Sequence, residues 1–267
     1  CGKLGLEFGT SPARGIRRVS TLTHDQKSTR GTSTGQPIEG DVIVTLDGPA
    51  GTGKSTVARL LAARLGLDFL DTGAMYRAAA AIAIDRGIDL ADTETILSIV
   101  VDADLHFDWT QDPPTILAWM NPYNQRIRDL DVTKIVSQIA AIGKLREHMV
   151  RKQRLIGQQH PRLVTEGRDQ GSVVFPDAEV KFYLDADPAV RAARRAEQIR
   201  LAGNEPPPEA ELLHDILLRD SRDSTRKDGP LICPDDAEKV DTGPLSIDEV
   251  VGFLETRVRK RLANRKA

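Results

Sequence analysis

The stretch from residue 41 to residue 66 constrains the fold more than any other part of the chain. Asp41-Val-Ile-Val-Thr-Leu-Asp47 is a short apolar run rich in β-branched residues, the pattern of a strand buried on both faces. Gly48-Pro49-Ala50-Gly51-Thr52-Gly53-Lys54-Ser55-Thr56 follows at once. Val57, Ala58, Leu60, Leu61 and Leu65 then recur at helical spacing up to a stop at Gly66. Strand, glycine-rich turn and helix in that order satisfy the P-loop pattern. The glycines let the backbone curl so that several amide N–H groups converge on phosphate oxygens, and the helix start adds its positive dipole end. Residues 48–56 therefore bind a polyphosphate such as ATP, with Lys54 reaching the β and γ phosphates and the Ser55 hydroxyl ligating the magnesium between them. The competing reading, a glycine-rich turn with an exposed lysine, accounts for neither flanking element.

The rest of the chain alternates in the same way. Helices are expected from Ala74 to about Asp85, from Thr93 to Asp102, from Val132 to about Leu155, from Asp187-Pro188, from Glu209 to about Thr225, and from Ile247 to Leu262. Leu163–Thr165 and Val180–Leu184 read as buried strands, and residues 235–240 precede a last one. Between Asp104 and Asp131 the period changes to two, at Leu105, Phe107 and Trp109 and again from Ile116 to Met120. That predicts a small antiparallel excursion closed by a turn at Asn121-Pro122. The fold class is α/β: a parallel sheet flanked by helices, with ligands at the carboxyl ends of the strands.

Composition serves mainly to exclude. The chain has 37 basic and 39 acidic residues, a formal charge of -2, which gives no reason to expect nucleic acid as a partner. No apolar run is long enough for a membrane span. Cys1 and Cys233 lie far apart and have no metal-ligand spacing, which suits a reducing cytoplasm. The five histidines show no metal spacing either. Residues 1–40 are basic, rich in Gly, Ser and Thr, and without apolar periodicity, so they read as a disordered tail; an organellar transit segment is the lesser alternative. The remainder, 41–267, reads as one domain, and a monomer is expected.

Asp71-Thr72-Gly73-Ala74-Met75-Tyr76-Arg77 opens the second helix, where a hydroxyl at the helix start and Arg77 one turn on can hold an anion. With Glu166-Gly167-Arg168-Asp169, the stretch 173–177, and Arg219-Asp-Ser-Arg222-Asp223-Ser-Thr-Arg226, the chain resembles the bacterial cytidylate kinases over about 41–267. The resemblance implies a P-loop kinase core with a monophosphate-binding insert at about 72–160 and a short lid at about 192–208. It implies that Thr72, Arg77 and Arg168 hold the acceptor phosphate, that Ser137, Arg146 and Asp169 read cytosine, and that Arg219 and Asp223 contact ribose. Arg226, with lid arginines such as Arg191, Arg194 and Arg195, would approach the phosphoryl group in flight; Lys54, Arg168, Arg194 and Arg226 form the catalytic set. Position 72 is Thr where the family usually has Ser, and 166 is Glu where it often has Asp.

The chemistry of those residue types agrees independently. Cytosine offers an amino donor to a carboxylate and a carbonyl acceptor to arginine, whereas uracil presents an oxygen where the amino group would be. The expected activity is magnesium- and ATP-dependent phosphorylation of CMP and dCMP. Two alternatives remain at this level: a small P-loop kinase with another acceptor, such as UMP or shikimate, and an ATP-binding regulatory protein. Taken singly, Arg77, Arg168, Arg219 and Arg226 could be surface arginines, Asp169 a helix cap, and Tyr76, Trp109 and Trp119 core aromatics.

Overall fold

A computed structural model of the chain describes residues 37–265. The expected disorder of the tail falls, for residues 1–36, outside the described residues. Residues 37–40 do pack: Ile38 is buried and its N–H donates to Leu65 O at 3.1 Å, so the ordered chain extends a few residues before Asp41.

Strand β1 (Val42–Asp47) leads through the glycine-rich loop into helix α1 (Lys54–Leu65), which ends at Gly66 in the left-handed conformation. Strand β2 (Asp68–Asp71) runs into α2 (Thr72–Asp85) and α3 (Thr93–Asp102). Three short strands follow, β3 (His106–Asp108), β4 (Thr115–Ala118) and β5 (Asn121–Pro122). Helices α4 (Leu130–Ile139) and α5 (Gly143–Gln159) bring the chain back to β6 (Arg162–Glu166). After a π turn (Gln170–Val174) come β7 (Val180–Asp185), α6 (Pro188–Leu201), α7 (Glu209–Thr225), β8 (Glu238–Asp241) and α8 (Ile247–Arg265).

The main sheet is parallel throughout, in the order β2-β6-β1-β7-β8. Two apolar cores cover it. One joins β1, β7 and β8 to α1 and α8 through residues such as Leu46, Leu61, Phe182 and Leu254. The other lies beneath α2, α4 and α5, where the buried run Ala78–Ala83 keeps α2 thin enough for its neighbours to approach closely. Because β1 sits between β6 and β7, its carboxyl end opens where three strands deliver their loops. Helices α6 and α7 pair through a small core of their own, Ala192, Ala196, Leu212 and Ile216. Among the described residues no helix is long and apolar enough to cross a membrane.

Four expectations change. Residues 68–71 form an edge strand that no apolar run announces, because Asp68 and Asp71 bracket only two apolar residues. The excursion is antiparallel as expected, but its turn lies at Trp119 and Met120, both in the left-handed region at φ 47° and 64°, and Asn121-Pro122 is the third strand. The single helix expected over 132–155 is broken into α4 and α5. At the break the Ala140 carbonyl accepts from Arg146 Nη1 at 3.0 Å, and a Cβ at Gly143 would meet Asp228 Oδ2 at 2.7 Å. The last strand is Glu238–Asp241, overlapping the segment expected to precede it.

Candidate active site

The loop after β1, the helix starts of α1 and α2, the end of β6, and the inner faces of α4, α5 and α7 enclose one cleft. The structure brings Gly51, Gly53, Lys54, Ser55, Thr56, Thr72, Arg77, Ser137, Arg146, Arg168, Asp169, Arg219, Asp223 and Arg226 into its lining. Residues separated by more than a hundred positions thus share one cavity because each sits at a strand end or on a helix facing β1.

On the loop side, Gly48 and Gly51 are required by close approach. A Cβ at Gly48 would lie 2.0 Å from Leu184 O, and one at Gly51 would lie 3.1 Å from Arg191 Cβ. Lys54 is buried and folds back on its own loop, donating to Pro49 O at 2.6 Å. Burial, and after it the neighbouring Arg168 guanidinium, pull its pKa down to about 7. A buried cation this poorly neutralised is ready for an anionic ligand. Ser55 Oγ donates to Glu166 Oε1 at 2.7 Å. Glu166 is itself buried, and burial followed by the Asp71 carboxylate raises its pKa to about 7. Hydroxyl and carboxylate oxygens side by side suit magnesium, which takes few protein ligands and completes its shell with phosphate oxygens and water.

On the facing side, Asp71 organises the start of α2, a role the sequence reading did not assign. Its Oδ1 accepts from Ala74 N at 2.8 Å, capping the helix, and its Oδ2 accepts from Arg77 Nη2 at 2.7 Å. Burial works against ionisation, but Arg77 and these hydrogen bonds hold the Asp71 carboxyl below the usual range. The Thr72 hydroxyl donates to Glu166 O at 2.7 Å and is buried, so its hydrogen is already committed within the protein.

Four arginines, Arg146, Arg168, Arg219 and Arg226, gather around two carboxylates. Arg168 Nε donates to Asp223 Oδ2 at 2.9 Å, and Arg226 lies 3.7 Å from Asp223 Oδ1. Arg146 pairs with Asp169, both almost wholly buried, and Arg226 approaches Asp169 from the other side at 4.0 Å. Burial, and after it Arg168, pull the Arg219 pKa down to about 10, and burial followed by Arg146 depresses that of Arg226. With Lys54 and Arg77, the cleft concentrates cationic side chains that its own carboxylates only partly balance, which favours anionic ligands. The Asp169 side chain does not cap the turn it precedes, which sets aside that alternative for it.

Two residues outside the expected set complete the wall. Tyr76 is buried in the core as expected and also lines the cleft, with the Arg146 guanidinium 5.2 Å from its ring centre, and burial pushes its pKa up to about 12. Gly229 covers the Arg146–Asp169 pair: a Cβ there would lie 2.2 Å from Asp169 Oδ2, and its φ is +58°. A glycine following Asp228 in a loop is the only sequence signal for it.

The lid arginines are not brought into the cleft. Arg194 donates to Thr242 Oγ1 at 3.1 Å and to the carbonyls of Thr242 and Gly243, in the loop after β8. Arg191 is buried against the back of the phosphate loop, donating to Ala50 O at 3.0 Å, Ala186 O at 2.9 Å and Asp220 Oδ2 at 2.6 Å. Arg195 does not line the cleft, and α6 contributes Gln198 instead.

Comparison with known proteins agrees with this geometry. The family model described as cytidylate kinase matches residues 44–260. The chain is 43% identical over 224 residues to a cytidylate kinase of Solibacter usitatus, covering 84% of this chain and 94% of that one. It is 44% identical to a cytidylate kinase of Rhodococcus opacus, covering 82% and 96%, and 42% identical to that of Corynebacterium efficiens, covering 81% and 94%.

Proposed function

This chain belongs to the cytidylate kinase family, and on that footing we propose that its cleft moves the γ-phosphoryl group of ATP onto CMP and dCMP. The observation that carries the acceptor half is the buried Arg146–Asp169 pair under Gly229. Side by side, a carboxylate and a guanidinium match the amino donor and the acceptor edge of cytosine. Uracil would place an oxygen against Asp169, a mismatch costing about 1–3 kcal/mol in a dry pocket.

The acceptor phosphate would lie among Arg77, Arg168 and Thr72, the last by turning its hydroxyl hydrogen from Glu166 O to a phosphate oxygen. Arg219 and Asp223 would flank the ribose, and Ser137 on α4 would complete the base site. The backbone of residues 48–56 would hold the ATP phosphates, with Lys54 turning from Pro49 O toward the β and γ positions. Ser55 and Glu166 are the residues that would hold magnesium, which when bound spreads positive charge over the phosphates. Arg168 and Arg226 stand where donor and acceptor halves meet and would balance the charge on the group in flight. The attacking oxygen belongs to a phosphate that is already anionic, so the residues' task is alignment and charge balance, without a dedicated base.

In the same reading, residues of about 72–160 act as the monophosphate-binding insert, and residues of about 192–208, most of α6 and the loop that follows it, act as the lid. Arg194 would join the catalytic set only by leaving Thr242 and Gly243 as the lid moves. The partners are the two nucleotides, with no nucleic acid or membrane, and the enzyme works as a cytoplasmic monomer.

The test is ADP formation by the purified protein with magnesium and ATP, with CMP, dCMP, UMP, AMP, GMP and shikimate offered separately. Strong dependence on CMP and dCMP, with UMP at least about tenfold slower, is the expected result. ATP consumption at one rate with or without any acceptor would sink the proposal.

A further inference from the structure

Asp47 ends β1 immediately before the phosphate loop, is only 1% exposed, and does not line the cleft. Its carboxylate reaches across to the segment that follows β6. Oδ1 accepts from Gln170 N at 2.9 Å and Oδ2 from Gly171 N at 2.7 Å. These are the first two N–H groups of the π turn Gln170–Val174, and helical turns leave such donors without internal partners.

The residue before a helical turn ordinarily supplies that cap from its own side chain. Here that residue is Asp169, a side chain well suited to capping, yet it makes no cap bond and faces Arg146 and Arg226 in the cleft. The cap is supplied from a different strand. Around it the segment is pinned to β1 at several points. Gly167 N donates to Leu46 O at 3.0 Å, and a Cβ at Gly171 would meet Thr45 Oγ1 at 2.9 Å, so only glycine lets the turn sit this close. At the far end, Arg154 on α5 donates to Val173 O at 2.7 Å and Val174 O at 3.1 Å.

We propose that Asp47 is a positioning residue for base selection: by capping the turn from the neighbouring strand, it leaves the Asp169 carboxylate free to face the acceptor base. The inference rests on the reading of Asp169 as the group that reads cytosine. It also makes one residue join the two halves of the site, since the strand end that launches the phosphate loop sets the bearing of the acceptor reader. Without the cap, the nearest carboxylate able to satisfy Gln170 N and Gly171 N is that of Asp169, which would turn from the cleft toward its own backbone.

The experiment measures kcat/KM for CMP and for UMP, and KM for ATP, in Asp47→Asn, Asp169→Asn and Leu46→Ala. An amide at 47 keeps the shape but offers one acceptor and turns an NH2 group toward a backbone N–H. Asp47→Asn is expected to lower the CMP-over-UMP preference by about tenfold with KM for ATP within about twofold, the size of one well-placed hydrogen bond. Leu46→Ala removes a buried side chain from the same strand; it should lower the melting temperature and leave the preference intact, separating lost stability from lost selection. If Asp47→Asn does not fold, Gly171→Ala displaces the same turn while keeping the Asp47 charge, and it should reduce the preference in the same direction. An unchanged preference in Asp169→Asn overturns the base reading itself. A collapsed preference in Asp169→Asn with an unchanged one in Asp47→Asn overturns the role given to Asp47 alone. Equal losses for CMP, UMP and ATP in Asp47→Asn also overturn it, because they would place the residue with the donor loop.

Discussion

One half of the cleft comes from a continuous stretch of chain, Ala50–Thr56, the loop after β1 and the start of α1, whereas the half that faces it is drawn from α2, α4, α5, the end of β6, α7 and the loop carrying Gly229. The continuous half is held by backbone: glycine conformations, a helix start and close contact with Leu184. The assembled half is held by side chains, with Asp71 setting Arg77, Asp223 setting Arg168, and Asp169 setting Arg146. Phosphate is recognised by N–H groups that every residue carries, so a local loop suffices. A base is recognised by a pattern of donors and acceptors, which takes side chains arriving from several directions.

That contrast can be broken by substitution. The largest effect is expected where the halves meet: Lys54→Ala and Arg168→Ala should each lower kcat by about a thousandfold, the scale of losing one charge aimed at a transferring phosphoryl group. Circular dichroism should show the fold retained in both, and near-normal turnover in either would remove that residue from the site. A smaller and more selective effect should follow Gly229→Ala, which puts a methyl group against the Arg146–Asp169 pair at a left-handed φ. KM for CMP should rise by about tenfold or more with KM for ATP nearly unchanged; a parallel rise in both would mean that the halves are not separable in this way.

The smallest effect concerns pH. The Glu166 pKa in the folded protein is about 7, above the ordinary value of 4.5, because the carboxylate is buried beside Asp71. Ionising it therefore opposes folding: its contribution to stability is fully present below pH about 4.5 and is lost as pH rises through about 7. Lys54, with its pKa pulled down from 10.5 to about 7, acts with the opposite sign in the adjoining window above pH about 7, so the comparison between two proteins is the informative quantity. Glu166→Gln keeps an acceptor for Ser55 and copies the neutral form. In the ligand-free state, its melting temperature relative to the parent should rise by a few degrees between pH 5 and pH 8.5. A difference that stays flat with pH would show that Glu166 is not titrating there.

How much could be read in advance follows the same division. The P-loop, α1, α3, α7 and the alternation of strands and helices were legible because local periodicity and a glycine-rich turn specify them. That Thr72, Arg77, Ser137, Arg146, Arg168, Asp169, Arg219, Asp223 and Arg226 would meet was legible, since all nine line one cleft; their roles are the proposal. The break between α4 and α5 was not legible, because Arg146 captures the Ala140 carbonyl only once Asp169 and Gly229 are in place around it. Repeated arginines in α6 fit several registers equally well in one dimension, and only packing turns Arg191 toward Ala50 and Arg194 toward Thr242.

By itself, then, the sequence determined what depends on neighbours along the chain: the parallel α/β class, the phosphate-binding loop, and the residue types of a kinase with a pyrimidine acceptor. Tertiary structure decided what depends on neighbours across the chain. It set Asp47 to cap a turn in another segment, gave the buried Tyr76 a place in the cleft wall as well as in the core, and set Gly229 over the Arg146–Asp169 pair. The physical reason is that backbone conformation and hydrophobic period are local properties, whereas the partner of a buried charge is whichever donor or acceptor the packed fold brings within about 3 Å.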